Sequence, residues 1–130
     1  MGKSFETSVL VAGALFCFAT TWSSAAEPEK FAERLGLSVL NAGGLSEIRA
    51  QYSGFFLAVA AICTAALFGL VSRQVALAVL VVVFGGLLCG RIASLAINRG
   101  TSGFTRTIVS LYFIDSAGLA LSGFALLANK

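Results

Sequence analysis

Four apolar stretches, each near the roughly 20 residues that a helix needs to cross a bilayer, dominate this chain. They cover about residues 8–24, 52–71, 75–97 and 105–127. Only 12% of the residues are charged, against about 25% in an average soluble domain. The stretches are apolar on every side, unlike the alternating strands of an outer-membrane barrel. The sequence therefore predicts a single all-α domain over residues 1–130, an integral membrane bundle of four transmembrane helices.

The predicted extramembrane loop, residues 25–50, begins with an amphipathic segment, "EPEKFAERLGL". Pro28 suits a first helical turn, and Phe31, Leu35 and Leu37 can share one face. We expect a short interfacial helix that lies on the membrane surface.

The segment "NAGGLSEIRAQY" leads into the second span. We expect Gly43 and Gly44 to break the surface helix and Ser46 to cap the next one, with Glu47 in its first turn. Glu47 then has two interpretations. It stabilises the first turn of that helix, or it belongs to a polar site on this side of the membrane.

The first span also resembles a secretory signal peptide, because Lys3 precedes the apolar core and Ser24 and Ala26 are small residues near its end. We interpret it as a retained span. Four spans place both termini on one side of the membrane. The distribution of basic residues favours external termini, whereas the signal-like start favours a cytoplasmic N-terminus, which is the orientation we expect.

Two ionisable residues, Arg91 and Asp115, lie inside apolar spans. Each costs about 2.5–3.5 kcal/mol at the bilayer centre on insertion scales. Spans three and four form a hairpin that brings the two residues within about 5 Å in height. We predict an ion pair that faces the bundle interior. The alternative is that Arg91 extends to its nearer interface while Asp115 bonds to serines or Tyr112, which would only fix the register.

Other polar residues belong to the same side of the membrane as this pair. Glu47 and Arg49 enter span two where Asn98 leaves span three, which predicts a one-sided polar vestibule that narrows towards Asp115. The candidate residues of an ion-pair or ligand site are Arg91, Asp115, Glu47, Arg49 and Asn98.

Small residues recur at a spacing of four in three of the spans, a pattern that lets helix backbones approach closely where lipid provides no hydrophobic drive. The predicted helix-packing residues are Ala61, Ala65, Gly69, Gly86, Gly90, Ser94, Gly118 and Ser122. They indicate a compact bundle that packs against itself as a homo-oligomer or against other membrane subunits.

Several function classes are disfavoured. The chain has no histidine, the commonest metal ligand, and Cys17, Cys63 and Cys89 lie in separate segments, so we expect three free thiols. No P-loop or G-x-S-x-G motif occurs. The net charge of +3 comes from scattered residues, which gives no footprint for nucleic acid. We therefore expect no enzymatic activity, no metal and no cofactor.

Three parts of the chain resemble a bacterial inner-membrane family catalogued as domain of unknown function 4345. They are "EIRAQYSGFFLAVA" at 47–60, "GGLLCGRIASLAINRG" at 85–100 and an acid in the last span. The corresponding residues are Arg49, Ala50, Tyr52, Gly54, Gly90, Arg91, Ser94, Leu95, Gly100 and Asp115. Ser53 departs from the family pattern, which has glycine there, and Asp115 replaces a longer glutamate. The resemblance implies four helices in a bacterial inner membrane and no particular activity.

Two functions stay open at this point. The first is an accessory or scaffolding component of a membrane complex, whose partners are the lipid bilayer and other subunits or further copies of the chain. The second is a small transporter or ligand-binding bundle that uses the intramembrane Arg91 and Asp115. An enzyme that acts on lipid or quinone is a third interpretation.

Overall fold

The structure is a computed structural model that describes residues 2–128, and all regular elements within that range are helical. The five helices are α1 (Gly2–Ala26), α2 (Pro28–Arg34), α3 (Ala42–Leu67), α4 (Arg73–Asn98) and α5 (Arg106–Leu127). Within α3, Arg49–Gly54 is π-helical. All except α2 are long and apolar enough to cross a membrane. The predicted all-α bundle with four membrane spans is confirmed, and α2 is compatible with the predicted interfacial helix.

The bundle consists of two closely packed pairs, α1 with α3 and α4 with α5. Apolar side chains of α1, α3 and α4, with Ala125 of α5, join the two pairs in one core. Its fully or almost fully buried members include Leu10, Cys17, Ala60, Cys63, Leu77, Leu80 and Phe84. Cys17, Cys63 and Cys89 form no disulfide, and only Cys89 is exposed.

The start of α3 differs from the sequence prediction. Asn41 is the N-cap, because its side chain accepts a hydrogen bond from the backbone N–H of Gly44 at 3.0 Å. The helix therefore begins at Ala42 rather than at Glu47, and the prediction that Gly43 and Gly44 interrupt the chain before a cap at Ser46 was wrong. One cap bond offsets the low helix propensity of a glycine pair in a first turn.

A glycine ends α3. Gly69 has φ +77°, its N–H donates to the carbonyl of Ala66, and the N–H of Leu70 donates to the carbonyl of Ala65. This pair of bonds is a Schellman motif, which needs a residue in the left-handed region. Gly69 is thus exposed at a helix end, where its left-handed backbone terminates α3, and it does not pack between helices of this bundle.

The close contact between α4 and α5 uses Gly118, one of the small residues singled out by their spacing. A Cβ at Gly118 would lie 2.6 Å from the ring of Phe84, and Ser122 is fully buried. Small residues in membrane helices allow this kind of approach.

The other predicted packing positions lie elsewhere. In α3 the buried small residues are Ala60 and Ala66, whereas Ala61 is exposed and Ala65 is half-buried. In α4, Gly86, Gly90 and Ser94 are exposed, and a Cβ at either glycine would meet nothing within 4 Å. A spacing of four places small residues on one face of a helix, but it does not specify whether that face meets another helix of the same bundle.

Polar contacts tie the helices together at both ends of the bundle. At one end, Nη1 of Arg73 donates to Oγ1 of Thr7 at 2.6 Å and lies 3.8 Å from a carboxylate oxygen of the buried Glu6. At the other end, Oγ1 of Thr105 donates to the carbonyl of Arg34 at 2.7 Å, which holds the end of α2 against the start of α5. Sequence reasoning did not predict a role for Glu6.

Much of the helical surface faces outwards. In the most apolar 18-residue segment of each long helix, only 17% (α5) to 33% (α1) is buried inside the bundle. The remaining apolar side chains need lipid or another protein around them, because water solvates such a surface poorly. The chain is therefore a multi-pass membrane protein.

We predict that Gly118→Ala destabilises the bundle, since its methyl group has to displace the ring of Phe84. Such overpacking costs about 1–3 kcal/mol of the free energy of unfolding, measured by reversible unfolding in mixed detergent micelles. Gly123→Ala is the matched control, because a Cβ at that position meets nothing within 4 Å. Equal stabilities of the two variants would contradict the packing described here.

Candidate functional site

Arg91 of α4 and Asp115 of α5 form an ion pair inside the bundle. Nε of Arg91 donates to Oδ2 of Asp115 at 2.6 Å. The carboxylate is 1% exposed, and the arginine side chain is 21% exposed. From the nearer helix ends, Arg91 lies about 10 Å and Asp115 about 13 Å along the spans, given the 1.5 Å rise per residue. The ion pair expected from the hairpin is thus present, well inside the apolar length of both helices.

Tyr112, one turn before Asp115, contacts Arg91 rather than the carboxylate. Its hydroxyl donates to the backbone carbonyl of Arg91 at 2.8 Å, and the guanidinium carbon lies 5.9 Å from the centre of its ring. The alternative interpretation, in which Asp115 bonds to Tyr112, is therefore not what the structure shows. Tyr112 helps to fix where Arg91 points.

The pair is incompletely satisfied. Arg91 meets the carboxylate through one nitrogen and one oxygen, rather than through the two parallel bonds that arginine often forms. The second oxygen, Oδ1 of Asp115, is buried and has no hydrogen-bond partner among the described residues. A buried acceptor of this kind costs more than an unmade bond on the surface, especially when it carries charge.

Arg91 and Asp115 lie in the wall of a cavity of about 290 Å³, which we call the pair cavity. All five helices contribute to its lining. The α1 side has a face at helical spacing made of Phe16, Ala19, Thr20 and Ser23. The remaining wall comes from Phe31, Leu35, Tyr52, Phe56, Leu87, Thr107 and Leu111, together with the ion pair. The lining is mainly apolar and aromatic, with a few polar groups, as in most small-molecule sites.

Two further concavities adjoin the pair cavity. A surface groove of about 500 Å³, the glycine groove, follows Gly86, Gly90 and Ser94 on α4 and shares Arg91 and Tyr52 with the pair cavity. On the other side of Phe16 lies an apolar pocket of about 220 Å³ between α1, α4 and α5. The pair cavity thus lies between an open groove and an apolar pocket.

The remaining candidate residues are not part of this site. Glu47 is exposed on α3, and Arg49 lines a separate depression beside α2. Asn98 is exposed and donates to the hydroxyl of Ser94. The side chains expected to form a polar vestibule do not line the pair cavity, whose wall near α2 contains Phe31 and Leu35.

Sequence reasoning missed most of the cavity wall. The spacing of Phe16, Thr20 and Ser23 along α1 could have indicated it, because this spacing puts two hydroxyl groups on the face of α1 that lines the cavity. In the sequence analysis, Tyr52 was noted only as one of the residues that carry the family resemblance. Its ring lies 5.0 Å from that of Phe31, so it links α2 to the π-helical part of α3.

Ser53, which departs from the family pattern, has a structural role. Its hydroxyl is 2.8 Å from the hydroxyl of the buried Ser24, and its backbone carbonyl accepts a hydrogen bond from Thr21. These bonds fasten the π-helical segment to α1. Extra π-helical turns often occur near functional sites because they redirect the side chains that follow.

We predict strong coupling between the two charged residues. Asp115→Leu leaves a guanidinium without its counter-charge and lowers the free energy of unfolding by about 3 kcal/mol, measured by reversible unfolding in detergent. Adding Arg91→Met removes that charge, so the double variant is more stable than Asp115→Leu alone. Glu27→Gln, which breaks the exposed pair with Lys30, is the control and changes nothing measurable. Strictly additive losses from Asp115→Leu and Arg91→Met would contradict the coupling.

Comparison with known proteins identifies a family but no characterised relative. No curated protein and no solved structure matches the chain significantly. Residues 5–113 match the family described as Domain of unknown function (DUF4345). The matched part includes α1, α2, α3, α4 and the first turns of α5, with Arg91 inside it, and ends just before Asp115. Because the match covers most of the sequence, the chain belongs to the DUF4345 family.

Proposed function

We propose that the protein binds a small lipid-soluble molecule in the pair cavity. The observation that carries this proposal is the carboxylate of Asp115, a residue that lines a cavity of about 290 Å³ and whose oxygen Oδ1 is buried without a partner among the described residues. A ligand that donates a hydrogen bond to this oxygen regains the energy that the unpaired acceptor costs.

The surroundings of the ion pair support this function. Phe16, Phe31 and Phe56 supply aromatic surface, while Arg91 and Asp115 supply directional polar groups. A site of this composition orients a ligand by one or two hydrogen bonds and gains affinity from apolar contact. A purely structural ion pair has no need of a cavity beside it, since close packing around charges satisfies them better.

A scaffolding role is the second candidate, and the exposed small residues of α4 favour it. Gly86 and Gly90 have open space where a side chain would stand, so another helix can approach closely there. In this role the chain is an accessory component of a larger membrane complex or a homo-oligomer. Purification in mild detergent as a lone monomer, with no partner retained after cross-linking, would count against it.

We predict that a decyl alcohol carrying a photoreactive diazirine labels the pair cavity when the protein is held in lipid nanodiscs. The labelled peptides, mapped by mass spectrometry, should contain the inward face of α1 and the middle of α5. Ala19→Phe fills part of the cavity and should reduce this labelling severalfold. Ala58→Phe is the matched control, because Ala58 is exposed on α3 and lines neither the pair cavity nor the glycine groove. Labelling confined to lipid-facing side chains would rule out the binding function.

The proposed location is a bacterial inner membrane, with both termini in the cytoplasm. The signal-like start of α1 supports this orientation, while the basic residues near α2 and the start of α5 favour the reverse. We expect a C-terminal green fluorescent protein fusion to fluoresce and a C-terminal alkaline phosphatase fusion to be inactive in a bacterial host. Active phosphatase would show that the termini are external.

A further inference from the structure

The hydrogen-bonding groups around the cavity indicate what kind of head group fits, given the proposed binding function. Oδ1 of Asp115 is an acceptor that needs a donor. Among the described residues, Arg91 uses only Nε towards the carboxylate, and its side chain keeps 21% exposure while lining both the pair cavity and the glycine groove. The terminal N–H groups of a guanidinium are donors that need an acceptor. A matching head group therefore both donates and accepts, as a hydroxyl does.

Charge excludes the ionic alternatives. Arg91 and Asp115 together carry no net charge, so an added ion finds no counter-charge in a site of low polarity. An anion bound to Arg91 is repelled by the carboxylate, and a cation bound to Asp115 is repelled by the guanidinium. The pair therefore favours an uncharged head group.

The apolar pocket beyond Phe16 provides space for a chain. Its wall includes Val9, Ala12, Leu80 and Ile114, and it holds about 220 Å³. Phe16 lines both this pocket and the pair cavity. Between Phe16 and Val9 the α1 backbone rises about 10 Å, a depth suited to a single hydrocarbon chain of medium length.

The glycine groove provides a route from the bilayer. Gly86 and Gly90 are exposed on a membrane-spanning helix, and nothing lies within 4 Å of a Cβ built on either. The groove meets the pair cavity at Arg91, Leu87 and Tyr52. A molecule dissolved in the membrane reaches the ion pair along this face without crossing water.

From these observations we infer that the ligand is an uncharged, single-chain lipid with a hydroxyl head group, of the chemical class of long-chain alcohols and monoacylglycerols. It enters sideways from the bilayer through the glycine groove. Its hydroxyl donates to Oδ1 of Asp115 and accepts from Arg91, and its chain lies in the apolar pocket beyond Phe16.

The test compares head groups on one chain, using the full-length protein in nanodiscs. The diazirine-bearing decyl alcohol is the labelling probe, and the competitors are decanol, 1-decanoylglycerol, decyl methyl ether, decyl sulfate and decyltrimethylammonium. We expect the two hydroxyl compounds to compete roughly tenfold more strongly than the other three, since a hydrogen bond to a charged acceptor is worth at least that factor. Equal competition by all five would leave the binding function intact and overturn the hydroxyl preference. Absence of labelling in the cavity would overturn both.

Two variants test the acceptor and the route separately. Asp115→Asn places an amide donor beside Arg91, so decanol should lose its advantage over the methyl ether. Gly90→Leu fills the groove and should slow labelling of the cavity severalfold, while leucine forms helix better than glycine does. Gly123→Leu is the control, because that position is also open but lies outside the groove. An unchanged preference in Asp115→Asn would refute the assigned acceptor, and an unchanged rate in Gly90→Leu would refute the lateral route.

Discussion

A guanidinium and a carboxylate inside membrane helices have to satisfy each other, because hydrocarbon offers neither of them a partner. In this bundle the contact between Arg91 and Asp115 meets that requirement through one short bond at 2.6 Å. The bond fixes the relative height and rotation of α4 and α5, and with them the approach of Gly118 to Phe84 one turn further along α5. The ion pair thus acts together with the contacts of Tyr112 and Gly118 to set the geometry of the second helical pair.

The same contact explains why a cavity lies beside it. The hydroxyl of Tyr112 donates to the backbone carbonyl of Arg91, and the Arg91 side chain donates to only one carboxylate oxygen of Asp115. The helices α1 and α3 are fastened to each other through Ser24 and Ser53, and neither supplies a hydrogen bond to the other oxygen, Oδ1. Helix α2, tied to Thr105, covers the end of the space. Within each pair the two helices are closely packed, and the pair cavity, which Arg91 and Asp115 line, lies between the two pairs.

Some parts of this arrangement were predictable from local patterns. Hydropathy identified the four spans, and the short connection between the last two gave the Arg91 and Asp115 pairing, since a hairpin fixes which residues share a height. Gly118 and Ser122 followed from their spacing. Ala61 and Gly86 share that spacing but face outwards in this chain, because in lipid the outer face of a helix tolerates small residues as readily as the inner face does. The cap at Asn41 was missed because a glycine pair indicates a break unless the preceding side chain bonds back to it.

The sequence by itself determined the membrane class, the number of spans and the presence of a buried charge pair, since each follows from length, hydropathy and the cost of charge in hydrocarbon. Only the tertiary structure decided that Oδ1 of Asp115 lacks a partner, that Phe31 of α2 lines the pair cavity, and that Gly86 and Gly90 border a groove. These features depend on the rotation of each helix about its axis. Uniformly apolar helices encode that rotation weakly, because every face is acceptable to lipid, so contacts between helices have to set it.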